Sequence, residues 1–402
     1  MSAPVVVTGI GTIGPAGAGL EPLRRALERG AIETCEVDRS AGFHRESSAR
    51  RAGLVPDAAY GRWLAPAHAR RMSPPSRMAV AAARMALESA GLSEDLVRGE
   101  GTAIALGTAF GCTTFTAKLL QQMAEGGPAA ISPFLFMETV ANAHAGQVAL
   151  ALGAQGPNWT LTQREASALF ALGRGHDLVA SGRARVALAG VVDEMGPILH
   201  AVLDRFGALA REERGRPFDA RRAGFLASEG STILVLEEEG LARARGAPII
   251  GRIRAMVRAN DPSASASDWG REGARLGEQL RTRLIDHDLD PLSIEGIVSG
   301  ASGSPSGDRA EAQMLRSCFG AHRPPTMVPK ATTGEFGGGW LAAAMIALEG
   351  GSIAPPADFV TDPELSIVPS AGVPAGRSRT LLLSSLAASG PAAWLVLERV
   401  AG

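Results

Sequence analysis

Short aliphatic runs alternate with longer segments of helical period along most of this 402-residue chain. That alternation restricts the fold to strands laid against covering helices. Val5, Val6, Val7 and Thr8 form a β-branched run closed by Gly9 and Gly11, which predicts a buried strand entering a turn. Residues 75–92 carry apolar side chains at helical spacing with Gly91 as a stop, and residues 102–107 read as a second strand. After a loop region, residues 159–162 predict a strand, 166–180 a helix, and 185–190 and 232–236 two further strands. Alternation of this kind predicts a largely parallel sheet covered by helices.

The second half repeats the scheme loosely. Residues 271–287 predict a helix, 294–298 a strand before a small-residue turn, 336–348 an Ala/Gly-rich helix, and 381–385 and 393–397 closing strands. Element order matches between the halves better than residue identity does. We read an internal duplication with its seam near residues 239–247, giving an N-terminal half at 1–245 and a C-terminal half at 246–402. Glycine is abundant at 49 residues and aromatics make up only 4%, which favours close helix–sheet packing over an aromatic-rich sandwich.

Charge and cysteine content exclude several classes. Forty basic residues face 41 acidic ones, and the sequence shows no basic stretch, so a nucleic-acid partner is not expected. Three cysteines (Cys35, Cys112, Cys318) without a CxxC pair make neither a disulfide framework nor a cysteine metal cluster. The longest charge-free apolar stretch, residues 336–348, is too short for a bilayer, and the first residues lack the pattern of a secretory signal. No membrane partner and a cytoplasmic location are therefore expected. Among the basic residues only Lys118 and Lys330 are lysines; the rest are arginine.

Several segments in series resemble the β-ketoacyl synthase branch of the thiolase fold. They are the opening Val5-Val6-Val7-Thr8-Gly9-Ile10-Gly11, then Ser132-Pro133-Phe134, Ala145-Gly146-Gln147-Val148 and Gly156-Pro157-Asn158. Next come Arg216-Pro217-Phe218-Asp219, Gly224-Phe225 and Glu229-Gly230. The resemblance implies a thiolase-like α/β fold, duplicated and layered α-β-α-β-α. It also implies chemistry on acyl chains borne by an acyl carrier protein, and it implies no cofactor and no metal.

That chemistry needs a cysteine thiolate at a helix start to take the acyl group and two histidines to donate to the malonyl thioester as the enolate forms. At the first position this chain has Leu161-Thr162-Gln163-Arg164-Glu165-Ala166-Ser167, with Glu165 where relatives carry the cysteine. Gly300, in Gly300-Ala301-Ser302-Gly303-Ser304-Pro305-Ser306-Gly307-Asp308, stands at the first histidine. Glu335, in Lys330-Ala331-Thr332-Thr333-Gly334-Glu335, stands at the second, while the lysine of that segment is retained as Lys330. The gating loop of active relatives is replaced by Ala387-Ala388-Ser389-Gly390. In active relatives the lysine faces a glutamate on the next helix, but here that position is Ala344. Glu165 or Glu335 is then expected to neutralise Lys330.

A lost cysteine with both histidines gone resembles the chain length factor of type II polyketide and polyene systems. That subunit pairs with an active ketosynthase, serves a carrier protein and limits product length through its tunnel side chains. By the same resemblance, Phe110, Thr113, Phe115, Thr116 and Phe136 are the candidates for the chain-length gate. The alternative is a stand-alone enzyme of this fold: a malonyl-carrier-protein decarboxylase, or an acyl-transfer enzyme with Glu165 as base. Loss of both histidines argues against decarboxylation, because an enolate needs donors.

Overall fold

The structure is a computed structural model, describing residues 3–46, 49–373 and 379–400, the side chain of His68 excepted. Its strands are β1 (Val5–Gly14), β2 (Gly17–Ala18), β3 (Cys35–Glu36), β4 (Arg51–Ala52), β5 (Thr102–Gly107), β6 (Asn158–Leu161), β7 (Val186–Asp193), β8 (Gly230–Glu238), β9 (Gly251–Asn260), β10 (Gly296–Val298), β11 (Thr326–Met327), β12 (Thr380–Leu386) and β13 (Pro391–Glu398). The strand path runs β11-β10-β12-β13-β9-β1-β8-β7-β5-β6. Read outward from its middle, each half has one order: β1-β8-β7-β5-β6 and β9-β13-β12-β10-β11. The halves meet where Val5–Val7 pairs antiparallel with Gly251–Ile253.

The sheet is mixed, not largely parallel as the alternation predicts. In each half two pairings are parallel (β5 with β6 and β7; β10 with β11 and β12), and the two nearer the middle are antiparallel. Periodicity identifies a strand without its direction, whereas connection length constrains direction. Four residues separate β12 from β13, and so short a link permits only a hairpin.

Side chains alternate along each strand between two cores. On β5, Ala103 and Ala105 face a central layer while Ile104 and Leu106 face an outer one; β7 does the same with Ala187 and Ala189 against Val186 and Leu188. The central layer holds the helices Ser167–Ala180 and Gly339–Glu349, and the C-terminal half closes it with Leu381, Leu383, Leu395 and Leu397. Helix Pro74–Ala90 covers one outer face, and helices Gly273–Asp286 and Pro305–Phe319 cover the other. The result is the layered, duplicated α-β-α-β-α arrangement. Every residue from Trp340 to Leu348 is buried, as expected for a helix that is apolar all round and enclosed on all sides.

Three expectations need correction. First, β1 does not turn at Gly9 and Gly11 but continues to Gly14. The glycines admit helix Pro74–Ala90: a Cβ on Gly11 would lie 1.9 Å from the Ala82 carbonyl oxygen, and one on Gly9 2.4 Å from that of Ala86. Second, residues 108–158 are not a loop but carry helices Thr113–Gly126, Pro133–Thr139 and Ala143–Leu152. Third, the Ala/Gly-rich helix begins at Gly339 rather than 336, because Phe336, Gly337 and Gly338 all have left-handed φ of 69–74°. No described helix is long and apolar enough to cross a membrane.

The close approach at β1 is directly testable. Gly11→Ala is expected to lower unfolding free energy by roughly 1–3 kcal/mol, because the added methyl meets backbone on a packed helix. Gly14→Ala should be near neutral, since its Cβ would find only the Glu229 carbonyl oxygen at 3.9 Å. Urea midpoints of the two variants measure the contrast.

Candidate functional site

Glu165 sits in a tight turn, Arg164–Ala166, that feeds the central helix Ser167–Ala180. Arg164 takes a left-handed φ of 48°, a conformation disfavoured for a residue with a Cβ. Neighbours hold the turn in place. Ser167 Oγ accepts from Gln163 N at 2.9 Å and donates to Thr108 O at 3.1 Å, while Ser385 Oγ donates to Glu165 O at 2.8 Å. Gly107 makes the contact with β5 possible, since a Cβ there would lie 2.5 Å from Ser167 O. The Glu165 carboxylate is buried and accepts the backbone N–H of Ala388 at 3.1 Å, from the turn between β12 and β13. Burial first, and then the charge of Glu335, push its carboxyl up to about 7.

Lys330 lies in the short helix Lys330–Thr333 and Glu335 just beyond it, so the pair is local in sequence. Lys330 Nζ donates to Glu335 Oε1 at 2.5 Å, with Lys330 1% and Glu335 2% exposed. The ammonium also stands over the ring of Trp340, 5.6 Å from its centroid. Glu335 Oε1 accepts Phe336 N at 3.2 Å, and Oε2 is buried without a partner among the described residues. Phe336 keeps its left-handed backbone between two edge-on rings, Phe110 at 5.2 Å and Phe225 at 5.7 Å. Of the two carboxylates expected at Lys330, Glu335 makes the bond; Glu165 turns toward Ala388.

Gly300 follows β10 with no room for a side chain: an added Cβ would lie 2.5 Å from Ser384 O and 3.1 Å from Ser385 Cα. The loop after it is organised by Asp308, which accepts Phe218 N at 2.7 Å and both Ser302 N and Gly303 N at 3.2 Å. Residues 216–219 and 300–308, distant in sequence, are thereby joined.

The five gate candidates have different surroundings. Phe110 packs on Phe336 beside the charged pair, with the Arg164 guanidinium 5.8 Å from its ring centroid. Thr113 donates to Glu194 Oε1 at 2.7 Å. Phe115 is buried against Phe134, ring centroids 6.4 Å apart, and Thr116 donates back to Cys112 O at 2.6 Å. Phe136 is 57% exposed.

Sequence reasoning missed a shell of buried acids around these groups. Asp193 at the end of β7 accepts Ala109 N at 2.6 Å and Thr108 Oγ1 at 3.1 Å, and Glu311 accepts Ser299 Oγ at 2.9 Å. Burial holds Asp193, Asp308 and Glu311 near 7 and raises Glu194 and Glu229. Asp308 was signalled by its place in the Pro305–Asp308 run and Glu229 by the Glu229-Gly230 motif, whereas Asp193, Glu194 and Glu311 carry no such signal. The arrangement holds protons and one ion pair. It offers no thiolate at Glu165 and no imidazole at Gly300 or Glu335.

The family model described as "Beta-ketoacyl synthase, N-terminal domain" matches residues 2–242. The tetracenomycin polyketide synthase ketoacyl synthase alpha subunit of Streptomyces glaucescens is 30% identical over 384 residues, which is 90% of this chain and 89% of that protein. The actinorhodin polyketide putative beta-ketoacyl synthase 2 of Streptomyces coelicolor is 29% identical over 373 residues, 89% of each. Among solved structures, the ishigamide ketosynthase/chain length factor superposes with a TM-score of 0.88 at 30% identity, covering 100% of both chains.

Two measurements probe the site. Lys330→Met strands a buried carboxylate and is expected to cost about 3–5 kcal/mol, whereas Lys330→Met with Glu335→Leu should recover most of that loss; denaturant midpoints decide. For Glu165, a folded-state value of about 7 against an ordinary 4.5 means that its stabilising contribution is complete below about 4.5 and lost as pH rises through 7. Buried histidines such as His144, lowered to about 4, act with the opposite sign, so the informative quantity is a difference. The stability of Glu165→Gln relative to wild type should increase between pH 5 and 8 by up to about 3 kcal/mol.

Proposed function

The chain belongs to the β-ketoacyl synthase family, and from that premise we propose that it is a non-acylating subunit of chain-length-factor type. It works in the cytoplasm beside an active ketosynthase of a type II polyketide system. A partner ketosynthase holds the acyl chain on its thiolate and takes malonyl units from an acyl carrier protein, while this chain shapes the space the product grows into. Residues 1–245 and 246–402 are its two duplicated halves, a division supported by their common strand order.

One observation carries the reading: a carboxylate, Glu165, stands at the nucleophile position. It is buried, bonded to Ala388 N and carries no group that accepts an acyl chain at useful energy. The electrophile-handling positions support the same conclusion. Gly300 is closed over by Ser384 and Ser385. Glu335 is committed to Lys330, and a carboxylate beside a forming enolate raises its energy. The general-base alternative is disfavoured by the same burial, since a base must reach the proton it removes.

Heterodimer formation is supported by the surface. Leu120, Met123, Phe136, Met137, Leu150 and Trp159 are all exposed along residues 113–159, and clustered exposed apolar groups mark an interaction face. Trp159 lies on β6, the end of the strand path. Phe136 belongs to this face, and with Phe110, Thr113, Phe115 and Thr116 it is our candidate set for the gate.

Co-expression with a ketosynthase carrying an intact Cys-His-His set should yield a co-purifying pair that forms product with malonyl carrier protein. The isolated chain should release no CO₂ from labelled malonyl carrier protein and retain no covalent acyl group. Glu165→Ala in the pair should leave turnover within about twofold, whereas loss of a general base costs 10²–10⁴. A loss of that size, or CO₂ release by the chain alone, overturns the proposal.

A further inference from the structure

Residues 38–46 follow β3 and lie across helix Pro197–Arg205 as a strap. Val37 and Ala49 belong to a core cluster, but residues 38–46 belong to none. Arg39 and His44 are half-buried and the rest of the strap is exposed. Polar bonds, not apolar packing, therefore hold it to the helix. Arg205 Nη2 donates to Phe43 O at 2.9 Å, and His44 Nε2 meets His200 Nδ1 at 3.1 Å, with the ring centroids 5.3 Å apart. His200 is fully buried.

The surroundings fix where the protons of this pair sit. His200 Nε2 faces the Arg51 carbonyl at 3.4 Å, which only accepts, so Nε2 carries a proton and Nδ1 presents a lone pair to His44 Nε2–H. His44 Nδ1 then holds a lone pair, and it is buried without a partner among the described residues. Two neutral rings satisfy this arrangement. A proton added to His44 goes to Nδ1 and creates a buried N–H with no acceptor. A proton added to His200 also goes to Nδ1, so His44 must move its own proton to Nδ1 and meets the same cost. A second added proton would set two N–H groups head-on.

Charged groups around the pair oppose one another. The strap contributes Asp38 and Arg39, and the helix contributes Asp204 and Arg205. From β4, Arg51 faces the rings through its carbonyl, while its guanidinium bonds Thr34. Burial is the leading influence on both imidazoles and lowers both below the ordinary histidine range.

We propose that His44 and His200 form a proton-operated latch, which keeps residues 38–46 on helix Pro197–Arg205 while both rings are neutral and frees them when a proton is taken up. The closed strap binds fewer protons than the open one. Closure is thus complete above the ordinary histidine value of about 6.5 and is lost as pH falls below it. Ala41 and Phe43 of the strap border a groove of about 400 Å³ against Ala117, Leu120, Pro197 and Ile198, and opening widens that groove. The latch is independent of the chain-length reading.

The test is hydrogen–deuterium exchange of the full-length chain, followed by mass spectrometry in peptides covering residues 37–46 and corrected for the intrinsic pH dependence of exchange. Protection of the strap should fall by about tenfold between pH 7.5 and 5.5. In His44→Gln, at a half-buried position, the side-chain amide can donate to a neutral His200 or accept from a protonated one, so the pH effect should shrink to less than about twofold. Equal protection of the wild-type strap at both pH values overturns the latch, as does acid loosening that persists undiminished in His44→Gln. Nitrogen-15 spectra of the wild-type imidazoles supply a check without substitution: His200 Nδ1 should be unprotonated at pH 7.5, and a protonated Nδ1 there with the strap still protected overturns the assignment.

Discussion

Two helices pressed between the halves of the sheet impose the main constraint on this molecule. Helix Ser167–Ala180 and helix Gly339–Glu349 share one central layer, and the strand faces toward Ser167–Ala180 are largely reduced to Ala103, Ala105, Ala187 and Ala189. Gly107 and Gly175 admit backbone and methyl groups at distances no side chain would allow. The starts of these helices are thus brought to one buried place. The turn before the first carries Glu165, and the loop before the second carries Lys330 and Glu335.

Burial then decides the electrostatics. The Lys330 ammonium is enclosed with several carboxyl groups, and among the described residues only Glu335 is bonded to it. The remaining acids satisfy themselves with backbone and hydroxyl donors, and their protons are held more tightly than in water because the charged form is poorly solvated there. At these positions the scaffold holds an ion pair and a turn with a buried carboxyl group.

Much of this was legible in the residues. Strands β5, β7, β8, β12 and β13 and the helix before β5 stood out because aliphatic runs and a terminal Gly91 leave few alternatives. The substitutions at Glu165, Gly300 and Glu335 could be read because motif residues around them are intact. Other features were hidden for physical reasons. Helices Thr113–Gly126 and Pro133–Thr139 present short, half-buried faces with little contrast, and direction within the sheet is not a property of periodicity. Asp193 and Glu194 look like loop acids until the ends of β5 and β7 are placed side by side.

The sequence alone determined the layered α/β class, the duplication and the absence of a thiol and two imidazoles where relatives carry them, because each is a matter of residue type and order along the chain. Tertiary structure alone decided that Lys330 bonds Glu335 while Glu165 bonds Ala388, and that Gly9 and Gly11 admit a helix rather than a turn. Those outcomes depend on distances of a few ångströms between segments far apart in the chain, and packing sets such distances.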